Sequence, residues 1–407
     1  MPGGDRLRMI LDLPAKPKLT YCLNVHPGEG WDDQVRAIGE YVPGLKQKFQ
    51  PEGKFGVGLR ISAQALRDLK DSETKARAVE LFKQANLDPF TFNAFPYGTF
   101  HGAGVKESVY QPDWKTPERL EYTKDLADLM ALFLGPGRGS ISSVPLSFGI
   151  PKVTEAEEKL MGENLASCVA HLHRLNSVDG NVIVLGLEPE PACHIENTAQ
   201  FISFYEEVML TCGLDRLREE FGYSLPRCEE IMRAHLGICL DTCHAAIQFE
   251  KVEDSINDLL KAGISIAKIQ ISNALEIRNS REAREALAAF VEPVYLHQVR
   301  MKDANEKLKS WTDLPQGLEG LTASDDGVPA RIHFHVPLFW SGEGALGSTQ
   351  DCLTPAFWKL CRDGVTPHFE METYTFSVLP KAAGKVDLAE MLEREYRWVL
   401  EQFVPST

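Results

Sequence analysis

Short apolar runs of β length alternate along the chain with longer segments whose apolar residues recur at helical spacing, and this alternation limits the fold more than any other feature. The clearest unit lies in the second half. HLGICLD (235–241) reads as a buried strand. Val252, Ile256, Leu259 and Leu260 then line one helical face, Gly263 stands where a helix C-terminal glycine belongs, and ISIAKIQIS (264–272) is the next strand. A strand, a crossover helix and a second strand in so short a span imply parallel pairing.

Comparable strands are expected at 18–25, 54–61, 89–95, 139–146, 181–188, 330–336 and 366–373. Helical segments separate the earlier ones. Thr154 and Glu157 have the spacing of a capping box, opening a helix whose apolar face uses Leu160, Leu165, Val169 and Leu172. Leu388, Leu392, Tyr396, Val399 and Phe403 line a terminal helix. The strand count exceeds by one what an α/β chain needs to close a (β/α)8 TIM barrel. The surplus is assigned to 330–336, because the 57 largely helical residues 273–329 separate it from the preceding strand. The expectation is one elaborated barrel domain over 1–407, with a long insertion after strand seven spanning about 273–329 and 330–336 belonging to it.

Composition narrows the class of function. With 43 basic and 58 acidic side chains the formal net charge is −15, which disfavours a nucleic-acid partner. The 9 cysteines are an odd count without CxxC pairs, as expected of reduced thiols in a cytoplasmic protein. The N-terminal apolar run stops at Asp12 and Pro14, too short for a signal-peptide core, and no stretch has the length of a membrane span. The expected partner is a small-molecule metabolite, alongside pathway partner proteins.

In a parallel barrel the chemistry lies just beyond the C-terminal ends of the strands. Glu188, Glu190 and His194 follow one strand, and Asp241 with His244 another. Gln270 follows AKI, His333 and His335 follow ARI, and Glu370 and Glu372 follow PHF. Earlier strands lead into His26, Arg60, Asn93 and, close behind, His101. Period-two alternation puts His333 and His335 on one side of an extended segment, and Glu370 and Glu372 on one side of another. Pro189 ends its strand between Glu188 and Glu190, so parity does not choose between them. Inward carboxylates repel unless a cation or proton compensates. A mixed set of carboxylates and imidazoles suits zinc, manganese, iron or cobalt better than calcium, and zinc or manganese is the expected cofactor. Cys239 and Cys243 read as packing residues. GPGRGS (135–140) precedes a strand and is no phosphate loop.

The succession LEPEP, LDTCH, KIQIS, HFH and METY resembles the xylose isomerase-like barrel superfamily, which includes ketose 3-epimerases and endonuclease IV. More closely, LGLEPEPACHIENT, ICLDTCHAA and HFEMETYTF, with VYQPDW (109–114), look like the EboE family of metabolite traffic proteins. The epimerase resemblance implies a metal held by Glu188, Asp241 and Glu372, with Glu188 and Glu372 as paired acid and base. Gln270 stands where those epimerases carry a histidine. The endonuclease IV resemblance implies a further metal at His244, His333 and His335, with histidine at position 333 in place of aspartate. Asn93 stands where that group carries a metal-binding histidine.

The resemblance implies a metal-dependent isomerase or epimerase acting on a small polyhydroxylated or carbonyl metabolite, linked to secondary-metabolite precursor processing or traffic. Beside the metal candidates Glu188, Asp241, Gln270, Glu372, His244, His333 and His335, the residues expected to contact substrate are His26, Arg60, Asn93, His101, Glu190 and His194. Two alternatives stand beside this reading. One is a metal-dependent phosphoester hydrolase, and the other a non-catalytic barrel that holds a metabolite for partners.

Overall fold

The computed structural model describes residues 13, 16–96, 106–149, 153–292, 296–303, 305–376 and 387–404. Seven barrel strands come first: β1 (Lys18–Tyr21), β2 (Phe55–Arg60), β3 (Leu87–Asn93), β4 (Arg138–Ser143), β5 (Val182–Leu187), β6 (Leu236–Asp241) and β7 (Ser265–Ile271). Six more follow: β8 (Asn273–Arg278), β9 (Val299–Lys302), β10 (Leu308–Trp311), β11 (Pro329–Val336), β12 (Gly342–Glu343) and β13 (Leu346–Ser348). The last is β14 (His368–Met371).

The barrel sheet runs β1-β14-β7-β6-β5-β4-β3-β2 with every ladder parallel. A parallel bridge between Cys22 and Gly58 brings its two edges together. Helices cover the outside, so strands such as FGVGLR and LGICLD are buried along their whole length, as both-face coverage of a parallel sheet requires. All nine strands expected from the sequence are present, and the TIM barrel with its insertion after strand seven is the observed fold.

The barrel interior departs from the usual aliphatic layers. Ser140 donates to Thr91 Oγ1 and lies 2.9 Å from His368 Nδ1. One level higher, Lys268 Nζ donates to Glu370 Oε2 at 2.5 Å and to Asn93 Oδ1 at 2.8 Å, both ion-pair side chains being wholly buried. Asn93 Nδ2 completes the group by donating to Glu370 Oε1 at 2.9 Å. Gly58 makes room for this pair: a Cβ there would lie 2.1 Å from Glu370 Oε1.

Residues inserted between β7 and β14 form a second, antiparallel sheet of order β10-β9-β11-β8-β13-β12. It has its own apolar cluster, including Leu275, Leu287, Val299, Met301, Ile332 and Phe334. Segment 330–336 is its strand β11, as expected. The expectation of a largely helical 273–329 is corrected: three strands interleave there with helices Arg281–Ala288 and Leu314–Thr322. β9 and β10 are four residues each and alternate little, which leaves no periodic signal.

The Thr154–Glu157 capping box opens helix Glu155–Asp179. Leu160 and Leu260, expected on buried faces, are exposed at 42% and 50%. Met161 takes the place of the first at the head of that stripe, Leu165, Val169 and Leu172 being buried as expected, whereas helix Val252–Lys261 buries only Val252, Ile256 and Leu259 of the four.

Candidate metal centre at the barrel mouth

The ends of β5, β6 and β14 bring Glu188, Asp241 and Glu372 together, with one carboxylate oxygen of each within 4.8 Å of the others. All three residues are buried, and Glu188 Oε2, Asp241 Oδ2 and Glu372 Oε2 have no hydrogen-bond partner among the described residues. Asp241 presents one oxygen for a structural reason. Its Oδ1 already accepts from Cys243 N at 2.6 Å, His244 N at 3.2 Å and Ser272 Oγ at 2.5 Å, capping the helix Thr242–Ile247. Only Oδ2 is left to face the other carboxylates.

Buried anions at this spacing disfavour one another. Burial first, then the charge of Asp241 and Glu190, raises Glu188 to about 8 against the pull of His244 and Lys268. Burial and the charges of Glu188, Asp241 and Glu370 hold Glu372 well above the usual carboxylate range. Burial works against the Asp241 charge as well, but His244, His335, Ser272 and the His244 N–H outweigh it and lower its pKa.

A second cluster adjoins the first. His244 comes from the first turn of the helix Thr242–Ile247 that follows β6, and His333 and His335 come from β11 of the inserted sheet. His244 Nε2 lies 3.0 Å from His333 Nε2, which lies 3.1 Å from His335 Nε2. Each ring places its other nitrogen against an oxygen: Pro189 O at 3.1 Å, Gln298 Oε1 at 2.6 Å and Glu372 O at 3.1 Å. These acceptors assign the proton to Nδ1 in all three rings and turn the Nε2 atoms inward, an arrangement that orients imidazoles toward a metal. Burial and the neighbouring imidazoles push His333 well below its ordinary value, and burial lowers His335 to about 4. Burial opposes charge on His244 too, but Asp241, Glu190 and Glu188 raise it. Asp241 groups with His244 and His335 within 4.8 Å, so it belongs to both clusters.

The chemistry of the donors fits a divalent cation. Three orphaned carboxylate oxygens and three converging nitrogens are what a cation of the zinc or manganese type accepts. Glu188, Asp241 and Glu372 would hold one, and His244, His333 and His335 a neighbour.

The remaining sequence-based candidates divide. Glu190 accepts from Tyr110 OH at 2.5 Å and shares a cluster with His244 and His333. Glu370 is bound to Lys268 beneath the carboxylates. Gln270 is turned to Cys239 and Asn93, accepting the Cys239 thiol hydrogen at 2.8 Å. Asn93 lies in the interior network and His26 bonds the Tyr21 hydroxyl at 2.9 Å while stacking on Tyr41. His194 pairs with Glu158 at 2.8 Å, away from both clusters. Arg60 pairs with Glu29. His101 lies outside the described residues. Sequence reasoning passed over Tyr110, Gln298, Lys268 and Tyr374, whose ring stacks on His335 at 4.6 Å. VYQPDW contained Tyr110 only as part of a resemblance, and Gln298 sits just before a strand with no motif.

No protein-family model and no curated protein sequence matches the chain. Among solved structures, an L-ribulose 3-epimerase superposes with a TM-score of 0.50 at 9% identity, covering 95% of this chain and 93% of that one. A xylose isomerase-like TIM barrel protein from Mycobacterium smegmatis in complex with magnesium gives 0.49 at 10% identity, over 95% and 96%. The IolI protein with a bound zinc atom gives 0.48 at 12%, over 95% and 97%. The superposition on the epimerase agrees with the TIM-barrel fold that the strand order shows. At these identities the likeness is one of fold.

Proposed function

We propose that the protein is a metal-dependent isomerase or epimerase of a small polyhydroxylated or carbonyl metabolite. The observation that carries this reading is the trio of buried, unpartnered oxygens on Glu188, Asp241 and Glu372. A divalent cation bound there supplies Lewis acidity toward substrate oxygens. Glu188 and Glu372 come from strands on different sides of Asp241's strand, and both have raised pKa values. Once ionised, one removes the proton alpha to the substrate carbonyl. The other carboxyl returns a proton to the same or the neighbouring carbon, and the pair is restored by exchange. Asp241, held by Ser272 and two backbone N–H groups, keeps its charge and orients the site. The fold likeness to an epimerase and the EboE-type motifs are in keeping with this reading, with a place in metabolite traffic and a cytoplasmic setting.

The test is isotope exchange. Ketoses and hydroxyaldehydes are incubated in deuterium oxide with the metal-loaded protein and followed by proton NMR. Loss of an alpha-proton signal, abolished by Glu188→Gln and by Glu372→Gln, is expected. No exchange across the panel with fully loaded protein contradicts the proposal.

One observation favours a second reading. The three inward-facing imidazoles beside Asp241 suit an additional cation, and adjacent cations suit hydrolysis of a phosphoester. Release of nitrophenol from bis(4-nitrophenyl) phosphate, lost in the double variant His333→Ala, His335→Ala, is the result that selects it.

A further inference from the structure

Across the mouth from Asp241 lies a buried guanidinium. A Cβ at Gly58 would touch Glu370 in the interior, so residue 58 is on the inner face of β2, and Arg60, two residues on, shares that face. Register agrees, because Arg60 is paired with Asn93, whose amide meets Lys268 and Glu370 inside the barrel. In the closed strand order β2 stands opposite β6, which places Arg60 across the mouth from Asp241. Arg60 is 3% exposed, and its fork grips the Glu29 carboxylate from Nη1 to Oε1 at 3.0 Å and from Nη2 to Oε2 at 3.1 Å. Glu29 itself is 28% exposed, on a loop between Gly28 (φ +129°) and Gly30. Asn24, beyond the end of the neighbouring β1, is buried with its carbonyl oxygen unpartnered among the described residues.

We propose that Arg60 anchors a carboxylate at the end of the substrate remote from the metal, that Glu29 fills that position in the free protein, and that the substrate is a polyhydroxylated or keto acid. This rests on the isomerase reading above and adds the substrate class. A guanidinium carries a permanent charge, so a buried one demands an anion. The present occupant is a carboxylate held by two parallel N–H bonds, and a substrate carboxylate reproduces both, whereas a hydroxyl does not. The occupant comes from a partly open loop, so exchange moves Glu29 without uncovering Arg60 to water.

The test is calorimetric titration of the manganese-loaded full chain with gluconate and with its uncharged counterpart sorbitol, metal content being measured on the same samples. Gluconate is expected to bind more tightly. Glu29→Gln removes the competitor and is expected to strengthen gluconate binding by roughly tenfold while leaving sorbitol unchanged. Arg60→Met is expected to erase the preference, and Arg60→Lys, which keeps the charge but not the fork, to retain part of it. If Arg60→Met does not fold, Glu29→Gln and Arg60→Lys decide. Equal binding of the two probes in Glu29→Gln, no gluconate binding at all, or a preference that survives Arg60→Met overturns the inference. Tighter binding of inorganic phosphate than of gluconate overturns the assignment to a carboxylate. Metal bound without any gluconate preference removes this inference alone, and a preference that follows Arg60 in protein that takes up no manganese removes the metal reading alone.

Discussion

His333 and His335 turn their Nε2 atoms toward each other at 3.1 Å, although each ring already gives its Nδ1 hydrogen to an oxygen. Two buried lone pairs facing at that distance repel unless a proton or a cation lies between them. His244 brings a third nitrogen to the same point. The barrel supplies His244 and the inserted sheet supplies the other two, so the insertion is part of the histidine cluster.

Cation uptake is expected to release protons. Glu188 is raised to about 8, so at pH 7 it is mostly protonated in the metal-free protein and must ionise to ligate. Affinity therefore rises as pH increases toward 8 and falls below it. Titrating manganese at pH 7 in buffers of different ionisation enthalpy measures the protons released. The expected number is close to one or above, and zero contradicts the assignment.

The Lys268–Glu370 pair is expected to behave as a unit. Lys268→Met leaves a wholly buried carboxylate without its partner and is expected to cost about 3–5 kcal/mol. Adding Glu370→Gln is expected to recover most of that loss. Urea unfolding of the metal-stripped proteins checks both values, and equal stability of the single and double variants contradicts the coupling.

Much of this barrel was legible because its strands are buried on both faces. HLGICLD and ISIAKIQIS stand out as unbroken apolar runs, the DTCH motif sits where the first of them stops, and HFH lies within β11 of the inserted sheet. Parity put both Glu370 and Glu372 inside, yet it could not show that Lys268 neutralises the first and leaves the second to the metal cluster. That division depends on Gly58, on the strand two along, leaving room for the Glu370 carboxylate. Glu188 and Glu190 were inseparable by sequence because Pro189 ends the pattern. In the fold Glu190 is taken by the Tyr110 hydroxyl, and Tyr110 lies far away in sequence. Gln298, which orients His333, follows no periodicity at all. Pairwise contacts of this kind arise from the inserted sheet's tertiary placement, which local pattern does not encode.

Glu395 is expected to set a pH dependence of stability. It is buried in the terminal helix Leu388–Phe403, accepts from Leu338 N and Thr373 Oγ1, and is raised by burial from 4.5 to about 7. Between those values the unfolded chain has lost the proton and the folded chain keeps it. Stability therefore falls as pH rises through that window. Glu395→Gln is expected to flatten the dependence and to be about 1–3 kcal/mol less sensitive to the change from pH 4.5 to 7. Denaturant midpoints across that range measure it, and parallel curves for the two proteins contradict it.

The most direct measurement is metal content per chain, by mass spectrometry of protein purified without chelator or affinity tag and after reconstitution. At least one divalent transition-metal ion per chain is predicted, lost in Asp241→Asn, whose oxygen serves both clusters. Retention of one ion by the double variant His333→Ala, His335→Ala would place it among the carboxylates. A metal-free wild type after reconstitution, or an Asp241→Asn protein with undiminished metal, would contradict the account.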